Sequence, residues 1–138
     1  IQKLKKIIIN KVNNYRLYYE KSDSDFIKKW PKKFILYGWV IIMNNGGNLL
    51  PHIHKEGWLS SSIYLKRPEK RKSSDGDIKF SLHGGNYPSD NKNFPSEIVD
   101  IEEGDMVMFP SSIFHSTIPF TSDRQRVTLA FDVIPLTI

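Results

Sequence analysis

Residues 34–54 read FILYGWVIIM-NNGG-NLLPHIH, and this stretch decides the architecture. Phe34–Met43 is a continuous run of aliphatic and aromatic side chains of strand length. It is expected to form a strand buried on both faces. Asn44-Asn45-Gly46-Gly47 is a turn signal, and Leu49–His54 reads as the next strand. The period before this stretch is different. Leu4, Ile7, Ile8, Val12, Tyr15 and Tyr19 recur every three or four residues with lysines between them, the pattern of an amphipathic helix over residues 3–19. A second helical turn is expected over Ser24–Trp30, capped by Ser22 or Ser24 and ended by Pro31.

Beyond the histidines the strand pattern continues. Trp58–Lys66, Asp77–Leu82, Ile98–Ile101, Asp105–Phe109, Ile113–Ile118 and Gln125–Ile134 read as strands. A charged loop, Arg67–Gly76, and a loop over 83–96 rich in Gly, Pro, Asn and Ser separate them and are expected to shape a site entrance. Short strands with such punctuation point to an all-β sandwich or barrel. Some eight strands after one or two helices fit a mainly β protein, a double-stranded β-helix of the jelly-roll, cupin-like kind. Residues 1–33 are expected to be an N-terminal helical segment packing on the barrel, and residues 34–138 the barrel itself.

With 138 residues the chain suffices for one core, and 39% hydrophobic and 25% charged residues are ordinary for a globular protein. It has no cysteine, which excludes disulfides and thiolate metal sites and fits a reducing compartment; a cytoplasmic location is expected. No apolar run reaches membrane-spanning length, no secretory signal is visible, and no membrane partner is expected. The first residue is Ile, so a longer parent chain is an open expectation. The net charge of +5 is uneven: residues 1–33 carry ten Lys/Arg against three Asp/Glu, and the remainder ten against twelve. The basic surplus is separate from the histidines and reads as a solvated helix face, so nucleic acid is not an expected partner.

His52 and His54 are two apart and share a face if Leu49–His54 is a strand. His115 arrives from a later strand. Three such ligands leave the opposite side of a metal open for co-substrate and oxygen, although imidazole also suits Zn, Cu and Ni. Glu56 is an alternative to His52, because His54-Lys55-Glu56 also spells a His-x-Glu pair. His83 reads as a bystander. On Gln125–Ile134, Arg126, Thr128, Ala130 and Asp132 alternate with Val127, Leu129, Phe131 and Val133. A guanidinium there can clasp a carboxylate with parallel hydrogen bonds, and the Thr hydroxyl adds a donor. The competing reading pairs Arg126 with Asp132.

Taken together, residues 51–60, Ile63-Tyr64-Leu65, residues 104–120 and Arg126–Asp132 resemble the iron(II)/2-oxoglutarate dioxygenases, in particular a prolyl-hydroxylase-related branch. The likeness covers roughly residues 34–135. It implies a double-stranded β-helix holding Fe(II) through His52, His54 and His115, with 2-oxoglutarate as co-substrate bound by Arg126 and Thr128. Tyr64 is a further candidate for contact with the co-substrate, or a core aromatic. His54 stands where the wider superfamily has a carboxylate. Ser61 stands where relatives often have Gly. The implied reaction couples oxidative decarboxylation of 2-oxoglutarate, with molecular oxygen, to hydroxylation of a C–H bond in a small molecule or protein side chain. Two rivals remain. One is a cupin-type three-His dioxygenase without 2-oxoglutarate, and the other a non-catalytic binding module with a basic N-terminal segment.

Overall fold

A computed structural model describes residues 1–85, 87–90 and 93–136. The run at 34–43 is strand β1 (Phe34–Met43). Seven strands follow: β2 (Leu49–His52), β3 (Leu59–Lys66), β4 (Ile78–Ser81), β5 (Ser96–Val99), β6 (Met106–Pro110), β7 (Phe114–Thr117) and β8 (Arg126–Pro135). β1 pairs with β8, β2 with β7, β3 with β6 and β4 with β5, all antiparallel. The chain is therefore laid out as one long hairpin with its tip between β4 and β5. Two more ladders, β3 with β8 and β4 with β7, roll that hairpin up. The product is two four-stranded sheets, ordered β1-β8-β3-β6 and β2-β7-β4-β5. Successive strands switch sheet except at the tip. This is the double-stranded β-helix that the strand count suggested.

β8 lies between β1 and β3, so it is covered along both edges, and Arg126, Thr128, Ala130 and Asp132 are all buried. Thr128 stands opposite Ile41 and Tyr64, and Ala130 opposite Trp39 and Ser62. Directly opposed residues share a face, so these side chains form one inner wall. Between the sheets, Tyr64 and Phe109 from one and Ile78 from the other pack with Ile101, flanked by Phe80, Val99 and Val107. Each such side chain, fully buried, stabilises the fold by roughly 1.5–3 kcal/mol.

Three expectations need correction. β1 is an edge strand and is not buried on both faces: Val40 and Ile42 are 56% and 60% exposed, while Trp39 and Ile41 turn inward. An apolar run reports strand length but not whether a second neighbour covers it. β2 stops at His52 because the Gly57 N–H bonds back to the His54 carbonyl (3.1 Å) and begins a turn. β5 ends at Val99, since the Ile101 N–H turns to the Asp77 carboxylate (3.3 Å).

Residues Ile1–Lys33 form one compact unit and Phe34–Ile138 another. The first holds α1 (Gln2–Tyr18) and α2 (Asp25–Lys28). Ile8 and Val12 are buried, but Leu4, Ile7 and Tyr19 from the expected apolar stripe are 41%, 46% and 43% exposed. Tyr15, Phe26 and Trp30 make mutual ring contacts. The Ser24 hydroxyl caps α2 by accepting from the Phe26 N–H (3.2 Å). No helix among the described residues is long and apolar enough to cross a membrane. The expected loop over 83–96 falls partly on residues 86, 91 and 92, which lie outside the described residues.

Candidate metal centre and anion pocket

His52 on β2 and His115 on β7 are direct cross-strand partners, which brings their ring centroids to 4.3 Å. His54 lies beyond the end of β2. Its backbone N–H donates to the Ser111 carbonyl (3.0 Å), and its ring comes to 5.3 Å from His52 and 4.9 Å from His115. Ligand atoms of the three rings lie within 4.8 Å of one another. Glu56 does not join this group. It is exposed on the turn after His54 and borders a neighbouring cavity. His83 is also elsewhere, stacked on Phe94 with Nε2 bonded to the Tyr87 carbonyl (2.8 Å).

The hydrogen bonds of the rings fix their tautomers. His52 Nδ1 lies 2.7 Å from the Leu50 carbonyl, and His115 Nδ1 3.2 Å from the Ile113 carbonyl. His54 Nδ1 lies 2.7 Å from Asp132 Oδ1. Carbonyl and carboxylate oxygens only accept, so each Nδ1 carries a proton, and in the neutral form of such a ring Nε2 holds the lone pair. The three rings thus form one small cluster, each locked from behind, as metal-binding imidazoles are. Burial pushes the His115 imidazole down to about 4, against the pull of its bond to the Ile113 carbonyl, which keeps it neutral and able to coordinate.

The histidines share a cavity of about 210 Å³ with Arg126 and Thr128. Arg126 is 3% exposed; its Nε donates to the Gly76 carbonyl (2.9 Å), and its guanidinium lies 5.0 Å from the centre of the Tyr64 ring. Among the described residues no carboxylate lies within salt-bridge distance of it. Asp132 is turned to His54 instead, which removes the competing Arg126–Asp132 pairing. Burial lowers the Arg126 pKa and raises that of Tyr64 to about 12, the guanidinium charge opposing the latter. The Thr128 hydroxyl is buried without a hydrogen-bond partner, and the buried Tyr64 hydroxyl faces Arg126 and Ser62. Tyr64 and Thr128 are cross-strand partners, and Thr128 shares the inner face with Arg126. The Arg126 cation and the Thr128 hydroxyl therefore stand together at the wall of a cavity whose other wall carries the histidines, with the Tyr64 ring packed against the guanidinium. This donor set fits a dianion with a carboxylate at its far end.

The sequence alone puts Asp132 on the face of Arg126 and offers it only as a rival partner for that guanidinium, and it assigns no role to Ser60, Ser111 or Trp39. The alternation that marked Arg126 and Thr128 marks Asp132 equally; its link to His54 spans 78 residues and has no local signature. The Trp39 ring lies 5.5 Å from that of His54. A second, open cavity of about 510 Å³ shares Trp39 and His54 with the first and is bordered also by Tyr37, Lys55 and Asp132.

Comparison with known proteins bears on this arrangement. The sequence profile of a family described as "Putative 2OG-Fe(II) oxygenase" matches residues 37–132. No curated protein matches the sequence. Several solved structures share the fold. A Pseudomonas putida prolyl-4-hydroxylase is 17% identical, with 74% of this chain and 52% of that one covered and a TM-score of 0.54. HygX from Streptomyces hygroscopicus with nickel and 2-oxoglutarate bound is 14% identical, with 75% and 59% covered and a TM-score of 0.56. An oxidoreductase of the 2OG-Fe(II) oxygenase family from Burkholderia pseudomallei is 11% identical, with 86% and 50% covered and a TM-score of 0.55. The chain spans between half and three-fifths of the length of these structures. With most of the barrel, from Tyr37 to Asp132, inside the matched profile, the chain belongs to the family of 2OG-Fe(II) oxygenases.

Proposed function

We propose that the chain is the catalytic barrel of an iron(II)- and 2-oxoglutarate-dependent dioxygenase that hydroxylates a C–H bond. In this reading His52, His54 and His115 hold the metal through Nε2. Arg126 and Thr128, with the Tyr64 hydroxyl, take the far carboxylate of 2-oxoglutarate. The observation that carries the reading is the cluster of three imidazoles, each with its Nδ1 set against a fixed oxygen acceptor so that Nε2 is the nitrogen left for a metal. Bound iron(II) would supply activation of oxygen and polarisation of the co-substrate's keto-acid end. The protein's own work is orientation and exclusion of water. Two carbonyls and the Asp132 carboxylate fix the rings through their Nδ1 atoms, and burial strengthens each polar contact that Arg126 makes. The substrate is a small molecule or a protein side chain, and the open cavity at Tyr37, Trp39 and Lys55 is its entry to the metal. Residues 34–138 are the oxygenase domain, residues 1–33 a separate helical segment, and the location is cytoplasmic.

The test is an anaerobic titration of metal-free protein with iron(II) and then 2-oxoglutarate, followed by the visible charge-transfer absorption of the chelated keto acid. Wild type is expected to give the band and His115→Ala to lose it. Arg126→Ala is expected to need on the order of 30-fold more 2-oxoglutarate, as a buried charge pair truncated on one side costs 2 kcal/mol or more. Iron binding without the band would instead favour the cupin-type dioxygenase, in which Arg126 binds the substrate's own carboxylate. No metal binding at all would sink the enzymatic reading.

A further inference from the structure

The three histidines are not held alike. His52 and His115 each turn back onto a neutral carbonyl two residues earlier in the chain. His54 leans on a charge from a distant strand, Asp132 Oδ1 at 2.7 Å. That carboxylate oxygen also accepts from the Ser60 hydroxyl (2.6 Å), and the Ser60 oxygen lies 2.8 Å from Ser111 Oγ. Ser60 has one proton and gives it to Asp132, so Ser111 is the donor to Ser60. Ser60, Ser111 and Asp132 are 1%, 0% and 6% exposed. The chain Ser111→Ser60→Asp132←His54 is therefore a buried, directional relay with its negative end on the imidazole.

Asp132 is not itself in the ligand cluster; it addresses the Nδ1 side of the ring, away from Nε2. The position it occupies matters because three imidazoles carry no charge. A two-His, one-carboxylate set would put a negative charge directly on the metal. Here the nearest carboxylate stands one hydrogen bond further out, where it fixes the ring and raises the basicity of the ligating nitrogen.

We infer that Asp132 is a positioning residue that acts on the metal through His54, returning to the site the negative charge that the three-histidine set lacks, with Ser60 and Ser111 holding it in place. The inference rests on the metal reading above, and its test separates the two. Metal-free wild type and Asp132→Asn are titrated with cobalt(II), whose d–d absorption reports both affinity and ligand field. Asparagine keeps an acceptor oxygen and loses the charge. Asp132→Asn is expected to bind cobalt(II) some 10- to 100-fold more weakly, with a shifted d–d band. The Fe(III)/Fe(II) potential should rise relative to wild type, a readout that a purely structural role would not move. Equal affinity and an identical spectrum in Asp132→Asn would overturn the inference and leave the metal centre standing. Failure of wild type to bind cobalt(II) would overturn the metal centre itself. Wild type gives a second measurement that needs no variant. Long-range ¹H–¹⁵N NMR of the metal-free protein should find His54 in the Nδ1–H tautomer, with its proton further downfield than those of His52 and His115. A His54 protonated on Nε2 would overturn the inference.

Discussion

In the proposed co-substrate site, Thr128 would serve binding at the expense of stability. Its hydroxyl is buried without a partner, a condition that ordinarily costs about 1–3 kcal/mol. Valine has nearly the same shape and nothing to satisfy. Thr128→Val should therefore leave the ligand-free protein as stable as wild type or up to about 1 kcal/mol more stable in urea denaturation, while 2-oxoglutarate affinity measured by calorimetry falls roughly tenfold. A variant that lost stability and kept its affinity would show the hydroxyl to be structural. Arg126, Thr128 and the histidines were legible in the sequence because strand alternation makes a charged residue on an inward face conspicuous. Asp132 obeys the same alternation, yet its meaning depends on where the turn after β2 sets down His54. No residue near Asp132 carries that information.

At the scale of the element, the turn between β2 and β3 does the most exacting work. It lifts His54 out of the ladder, returns through Gly57 and delivers Ser60 beneath Asp132. Gly57 is there because space is short: a Cβ would stand 2.5 Å from Ser111 Oγ and 3.4 Å from the Asp132 carboxyl carbon. Gly57→Ala is expected to lower stability by about 1–3 kcal/mol, the usual cost of overpacking. Because the intruding methyl meets the relay, the same variant should also weaken metal binding severalfold, read in the cobalt(II) titration. A stable Gly57→Ala with wild-type metal affinity would mean that Ser111 can move aside without consequence. The strands themselves were readable to within about two residues, since each is a local matter of period and punctuation. Their environment was less so. β1 looked like a central strand because ten consecutive residues with one polar-neutral glycine carry no mark of the sheet edge, which is set by the return of β8 some ninety residues later.

For the molecule as a whole, the long hairpin rolled into two sheets sets both how the chain folds and how it responds to ligand. Its outermost rung pairs Phe34 with Pro135, so the ladder that carries Arg126 and Thr128 closes only when nearly the whole barrel chain is present. Such long-range pairing is intrinsically slow to form. The functional groups are divided between the sheets: His52 and His115 belong to β2 and β7, Arg126 and Thr128 to β8 across the interior. A 2-oxoglutarate chelated at one end and clasped at the other would be a strut between the two leaves. The leaves are packed against each other on apolar side chains, which resist compression and hold the two ends of its seat at a set distance. Occupancy should therefore raise the unfolding free energy of the metal-loaded protein by about 2.7 kcal/mol at a hundredfold excess over Kd. A dicarboxylate one methylene longer should be rejected on length alone, because the two ends of its seat are fixed in different sheets. The barrel would then act as a caliper, and selectivity for the co-substrate would be a property of sheet spacing more than of any side chain lining the cavity.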